Sequence, residues 1–163
     1  MRQIHGKRFR TKDRLEYVEH INAQCIEQIK LAIEALEDCT NKNDSFHEVD
    51  KYVNGYNTFI NNDDLNQLQL SEAGIKAKEF LLEVSEPILN DDIVSAIKCL
   101  WMEPAIKKIY DMRNITEIED SSAYFWNELD RINDDDYVPN ITDLLLVRYR
   151  TLGLVKYIIF NSK

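Results

Sequence analysis

Arg148 stands three residues before Thr151, in a stretch from Asp143 to Lys156 that ends in an apolar, strand-like run. These two side-chain types at this spacing suit a loop wrapped around a triphosphate. Arginine carries a planar, permanently charged fork that reaches phosphate oxygens, and a threonine hydroxyl can ligate Mg²⁺. Such a loop is half of a nucleotide site. The other half would be a glycine-rich turn whose free backbone N–H groups cradle phosphates, and the chain's four glycines form no such turn. Gly6-Lys7 imitates the end of one, but Arg8 stands where a Ser or Thr is needed.

A second literal match is also refused. Asn41-Lys42-Asn43-Asp44 spells a guanine-selecting string, but that string works only after a buried strand that aims its Asp at the base. Here it follows the polar end of a helical pattern, so a plain loop is expected. His5, His20 and His47 are scattered with no partner at zinc-ligand spacing. No Ser, His and Asp arrangement suggests covalent catalysis, and the acidic run Asp134 to Asp136 reads as a solvated loop. Asp120-Ser121 reads on its own as a cap for a helix that starts at Ser122. Trp101 and Trp126 read as core aromatics.

Four segments then occur in a telling order: Leu100-Trp101, the run from Asp120 to Ile132, Asp136-Tyr-Val-Pro139, and Arg148-Tyr-Arg-Thr-Leu-Gly153. In this the chain resembles the α subunit of heterotrimeric G proteins. The likeness is closest over residues 97–160, and it extends to Met1-Arg-Gln-Ile-His-Gly6, which is similar to the end of the helix after the family's phosphate loop. Three parts are implied: residues 1–10 as the end of that helix, residues 11–147 as an inserted all-helical domain, and residues 148–163 as switch I and the following strand. The resemblance implies that Arg148 is the catalytic arginine and that Thr151 ligates Mg²⁺. It also implies that Asp120, Ser121 and Leu145 join them around bound GTP or GDP. The family has Arg where this chain has Leu146, and a second Thr where it has Leu152; the first departure removes a ribose or domain-interface contact, so closure over the nucleotide is expected to be looser. The implied partners are the Ras-like GTPase domain of the same subunit, a βγ dimer, a receptor and regulators of G-protein signalling. The implied place is the inner, cytoplasmic face of the plasma membrane. The expectation is thus a fragment that is inactive alone and binds no nucleotide by itself. The alternative is a free-standing helical adaptor, told apart by whether the coding frame continues into an Asp-Val-Gly-Gly-Gln type segment.

The elements that must position these residues read as helices. With 163 residues the chain can bury a core, and 44% hydrophobic residues against four Gly and three Pro leave few turns. A net charge of −9 disfavours a nucleic-acid surface, and the basic residues crowded into residues 7–14 read as a solvated face. Cys25, Cys39 and Cys99, odd in number, read as buried free thiols in a reducing compartment. No stretch is long and apolar enough to span a membrane. Leu15, Val18, Cys25, Ile29, Ala32 and Leu36 alternate at three and four spacing and predict one long helix over 12–37, capped by Thr11. A capping box at residues 45–48 opens a second helix. Ser71 caps a third that ends near Val84 before Pro87. Ile93, Ala96, Ile97, Leu100 and Trp101 mark a fourth, and Pro104 begins a short one ending near Met112. Helices over 121–132 and 141–147 follow, the latter opened by Asn140 with Asp143 at its third position. The expected fold is all-α: a helical bundle with one long central helix surrounded by shorter helices, closed by a short strand over 154–160. That strand, left unpaired, is a candidate surface for self-association.

Overall fold

The computed structural model describes residues 11–41 and 68–147, and among these every regular element is a helix. In chain order they are α1 (Thr11–Leu15), α2 (Val18–Asn41), α3 (Glu72–Glu83), α4 (Asp91–Met102), α5 (Pro104–Asp111), α6 (Arg113–Thr116), α7 (Ser122–Asn127), α8 (Leu129–Ile132) and α9 (Ile141–Leu146). The capping box expected at 45–48 and the strand expected over 154–160 lie outside the described residues. No described helix is long and apolar enough to cross a membrane.

The helix expected over 12–37 is two helices. The Tyr17 N–H reaches back to the Arg14 carbonyl at 3.1 Å, closing a turn that ends α1, and the chain re-enters helix at Val18 and runs to Asn41. That turn shifts the register. Leu15, expected on the buried stripe, is 47% exposed, while the stripe itself begins at Ile21 and continues through Cys25, Ile29, Ala32, Leu36 and Cys39, all buried. Thr11 lies within α1 instead of before it. α2 packs against α3, α5, α6 and α7, and α4 packs against α3, α5, α7 and α8.

Local signals decide most other boundaries. The Ser71 hydroxyl accepts from the Gly74 N–H and the Asn90 side chain from the Ile93 N–H, which satisfies N–H groups that a helix leaves free at its start. Pro104 occupies the first turn of α5, where its missing N–H costs nothing. At Gly74 a Cβ would come within 2.7 Å of the Glu103 carboxylate, so a larger residue there would have to push that side chain aside. The same carboxylate accepts from the Ser71 hydroxyl and backbone N–H, so the start of α3 is fastened to the corner between α4 and α5. The helix expected over 121–132 breaks at Glu128, whose N–H is shared between the Tyr124 and Phe125 carbonyls.

One element was not foreseen. α6 is a single four-residue turn, and it ends at Glu117 in the left-handed region with φ 59°. A side chain there is disfavoured, and glycine or asparagine usually marks such a stop, so a glutamate at this position carries no cue. The reversal returns Ile118 to the core and brings the next residues against α2.

Trp126 is buried beneath α2 and donates its indole N–H to the Cys25 carbonyl at 3.1 Å. Trp101 is half-buried, meets Trp126 at a tilt and Tyr110 edge to face at centroid distances of 5.0 and 5.4 Å, and donates to Asn127. Both tryptophans therefore serve packing, although Trp101, whose helical spacing pointed to the core, is only partly buried and Trp126 is the fully buried one. Of the free thiols, Cys25 and Cys39 are buried, whereas Cys99, expected buried, is only half so.

Candidate functional site

The corner at residues 117–121 is built from α2 outward. Gln28 is buried on α2 and its side-chain oxygen accepts from the Glu119 N–H at 2.8 Å and from the Ser122 hydroxyl at 3.2 Å. One turn earlier, the Gln24 amide donates to the Glu119 carboxylate at 2.6 Å and to the Ser121 hydroxyl oxygen at 3.0 Å. Two glutamines spaced by four residues thus present amides along one side of α2 and hold a segment that has no regular structure of its own.

Asp120 and Ser121 sit at this corner, but not in the capping role expected of them. Ser121 is at the position before α7 with helical backbone angles, and its side chain makes no cap. The Asp120 carboxylate is 88% exposed and pairs with Arg113, while its carbonyl accepts from the Tyr110 hydroxyl at 2.7 Å. Arg113 in turn lies over the Tyr110 ring, 4.8 Å from its centroid. The corner therefore offers a carboxylate on a fixed backbone.

A second constellation lies around α9. The expected capping box is formed: the Asn140 side chain accepts from the Asp143 N–H at 3.0 Å, and the Asp143 carboxylate accepts from the Asn140 N–H at 2.7 Å. Asp143 does far more than cap, however. It is 0% exposed, and Arg131 donates to both of its oxygens, at 2.8 and 3.0 Å. The hydroxyls of Tyr124 and Tyr137 donate to it at 2.8 and 3.0 Å. Arg131 also lies over the Tyr137 ring, 5.4 Å from its centroid, and binds Glu128. Burial pushes the Asp143 carboxyl up, and Arg131, the Asn140 amide and the two tyrosines together pull it down further, so it sits below the usual carboxylate value and is charged at neutral pH. Tyr137 is pushed well above the ordinary phenol value by burial and by the neighbouring Asp143 charge. Tyr124 is raised by burial first and by its bond to Asp143 second.

The two constellations share α7, which starts at the corner and carries Tyr124 to Asp143. Leu145, on α9, is 78% exposed and so has little part in the core. Leu146 is partly buried and packs against the core, which gives the leucine at that position an apolar contact. The Val147 N–H closes α9 by donating to the Asp143 carbonyl at 2.8 Å. Arg148 and Thr151 lie outside the described residues.

Two open grooves of about 550 and 400 Å³ lie elsewhere, the larger along Asp91, Lys98 and Asp130. Neither is lined by Asp120, Ser121 or Leu145; Asp120 and Leu145 are exposed and Ser121 is half-buried. Among the described residues no group of three His, Cys, Asp or Glu could hold a metal ion.

Gln24, Gln28, Arg131, Tyr124 and Tyr137 went unnoticed in the sequence. Two signals were available. The glutamines interrupt the apolar side of α2 at helical spacing, and Asp143 is an acid directly before three leucines, where a charge must find partners. Nothing in the sequence says which partners.

A family model described as G-protein alpha subunit matches residues 1–162. Over 106 residues the chain is 40% identical to the "Guanine nucleotide-binding protein alpha-15 subunit" of Caenorhabditis briggsae, covering 52% of this chain and 30% of that protein. It is 44% identical over 62 residues to the protein of the same name from Caenorhabditis elegans, covering 38% of this chain and 17% of that protein. The "Guanine nucleotide-binding protein alpha-1 subunit" of Oryza sativa subsp. indica is 36% identical over 85 residues, covering 52% of this chain and 22% of that protein. The chain spans less than a third of the length of these relatives.

Proposed function

Because the chain belongs to the G-protein α-subunit family, we propose that it is the helical domain of such a subunit together with its switch I segment, closing over a guanine nucleotide held by a Ras-like domain. The observation that carries this reading is a family match that takes in both the helical region and the segment with Arg148 and Thr151. The geometry supports it in one respect: Asp120 and Leu145 are exposed side chains on a backbone anchored from beneath, as a lid surface requires.

In this reading Arg148 is the catalytic residue. Its guanidinium meets the charge that develops on the γ-phosphate in the transition state, and being placed beforehand it adds no reorganisation at that moment. Asp120, Ser121 and Leu145 line the outer face of the nucleotide. Thr151 offers a hydroxyl to Mg²⁺. An oxygen donor of this kind fits that ion, whose remaining ligands are usually phosphate oxygens and waters. When bound, Mg²⁺ supplies neutralising charge at the β- and γ-phosphate oxygens. Alone, with glycines only at positions 6, 55, 74 and 153, the chain has no phosphate cradle and should hold neither GTP nor GDP tightly.

The test supplies the missing half. A Ras-like domain from a relative, engineered without its helical insertion, is mixed with excess chain and single-turnover GTP hydrolysis is followed. Wild-type chain should accelerate it. Arginines in this role are known to contribute roughly 10³ to 10⁵ in rate across GTPases, α subunits included, and only part should return without the covalent tether. Arg148→Ala should abolish the gain and Arg150→Ala should keep most of it. Equal acceleration by wild type and Arg148→Ala would remove Arg148 from the chemistry.

A further inference from the structure

We infer that Gln24 and Gln28 are positioning residues for the corner at residues 119–122, where they fix the backbone and leave the Ser121 hydroxyl as a donor beside the Asp120 carboxylate; this rests on the reading that Asp120 and Ser121 line the nucleotide. The corner cannot hold itself. It follows the left-handed turn at Glu117, has no regular structure until α7, and closes on itself only through the Ser122 N–H and the Glu119 carbonyl at 3.0 Å. Every residue in it is instead held by a side chain from another helix. Gln28 accepts from the Glu119 N–H and the Ser122 hydroxyl, Gln24 donates to the Glu119 carboxylate and to Ser121, and Tyr110 of α5 donates to the Asp120 carbonyl. Both glutamines are buried, among Ile21, Cys25, Ile29 and Ala32 of the same helix. A polar group in such a place costs free energy unless it is bonded, and a leucine there would carry no such cost. Core packing alone therefore does not call for two amides here, whereas the corner does.

The polarity of Ser121 follows from bonding capacity. A carboxylate only accepts, so the Gln24 group that lies 2.6 Å from the Glu119 carboxylate is its NH₂. The same nitrogen lies 3.0 Å from Ser121 Oγ, and its two N–H bonds are thus spent on two acceptors. The serine oxygen is an acceptor toward α2, and its own proton is left to donate to another molecule. Next to it the Asp120 carboxylate is exposed and accepts. A donor and an acceptor on adjacent residues match a ligand edge that offers the reverse pair, as sugar hydroxyls and base edges do. Because the amides are uncharged, they orient this pair without neutralising its acid. In this arrangement the glutamines touch no ligand themselves and act through Ser121 and the backbone.

The mixed hydrolysis assay tests this, because it separates docking from chemistry. Gln24→Leu, Gln28→Leu and Ser121→Ala should each raise the concentration of chain that gives half the effect by about three- to tenfold, the range set by loss of one hydrogen bond. The saturated rate should stay within about twofold, since no reacting group has changed. If Gln24 acts through Ser121, the double variant of Gln24→Leu with Ser121→Ala should be weaker than Ser121→Ala by no more than about twofold. Leu81→Ala, a cavity in the remote α3, controls for lost stability and should keep the wild-type half-effect concentration at temperatures where it is folded. In the chain alone, amide exchange at Ser122 should quicken in both glutamine variants and not in Leu81→Ala. If the wild-type chain leaves hydrolysis unchanged at every concentration, the functional reading falls and the inference with it. If the wild-type chain accelerates hydrolysis but the glutamine variants match its half-effect concentration, only the positioning role is wrong. Full additivity in the double variant, an equal loss in Leu81→Ala, or unchanged exchange at Ser122 would overturn that role in the same way.

Discussion

The molecule uses one set of side chains twice. Asp120, Arg113 and Tyr110 form an aspartate paired with an arginine that lies over a tyrosine ring, and Asp143, Arg131 and Tyr137 repeat the pattern. Burial separates them. The Asp120 side chain is 88% exposed and that of Asp143 is 0% exposed. An exposed pair is screened by water and contributes little to stability, whereas a buried carboxylate stripped of its partner keeps its full desolvation penalty. The first trio is thus free to present its acid to another molecule, and the second is committed to the fold. The backbone of the first site is held by the uncharged amides of Gln24 and Gln28 underneath and by the Tyr110 hydroxyl on the Asp120 carbonyl.

The sharpest way to break this contrast is to remove each acid in turn. Asp143→Ala leaves Arg131 and two tyrosine hydroxyls without their acceptor and should cost about 3 kcal/mol in urea unfolding, the lower end for a broken buried pair because Arg131 is a third exposed. Asp120→Ala should leave the unfolding midpoint where it was. Similar losses in both would show that burial does not set the difference. A smaller effect is expected at the support of the corner. Gln28→Leu removes the acceptor of the Glu119 N–H and the Ser122 hydroxyl, and orphaning such groups costs about 1 to 3 kcal/mol. The same substitution should speed amide exchange at Glu119 while leaving Val147 protected, because Val147 donates to the Asp143 carbonyl and Gln28 makes no bond to Asp143.

Acidity sharpens the comparison further. Asp143 sits below its ordinary value of 3.8, so the stability it lends is complete above that value and drains away as pH falls through the lower, folded one. Unfolding midpoints from about pH 5 downward should therefore fall more steeply in wild type than in Asp143→Asn, and parallel curves would mean that this carboxyl does not carry the acid limb. At the other extreme, burial pushes the Cys25 thiol from 9.0 up to about 12. The neutral form is favoured in the fold, so its contribution is complete below pH 9 and is lost as pH rises toward 12. Tyr124 and Tyr137 act in the same direction. The smallest effect concerns Glu117, which holds the left-handed turn before the corner. Glu117→Gly removes the steric conflict of that backbone and should raise stability by about 0.5 to 1 kcal/mol, with no change at Asp143; a loss of stability would show that the Glu117 side chain contributes more than its turn costs.

Much of the helical content was legible because it is written in short-range terms. The stripe from Cys25 to Leu36, the caps at Ser71 and Asn140, and Pro104 at the start of α5 depend only on neighbours one or two turns away. The order of residues from Leu100 to Gly153 likewise identified the family, and with it Asp120, Ser121, Leu145, Arg148 and Thr151 as the residues to watch. Boundaries held less well wherever a single turn intervened. The break at Tyr17 exposed Leu15, and the one at Glu128 divided the helix expected over 121–132, since each rests on local backbone hydrogen bonding that no residue type announces.

The sequence by itself determined the helical class, the family and the capping pair of Asn140 and Asp143. Only the tertiary structure decided that Asp143 would be fully buried, that Arg131 and two tyrosines would meet on it, and that Gln24 and Gln28 would hold the corner 91 to 97 positions further on. The physical reason is range. A cap or an apolar stripe is satisfied within a few residues, but a buried charge needs partners that the chain can deliver only after it has folded back on itself, and an acid before three leucines looks the same whether or not they are waiting.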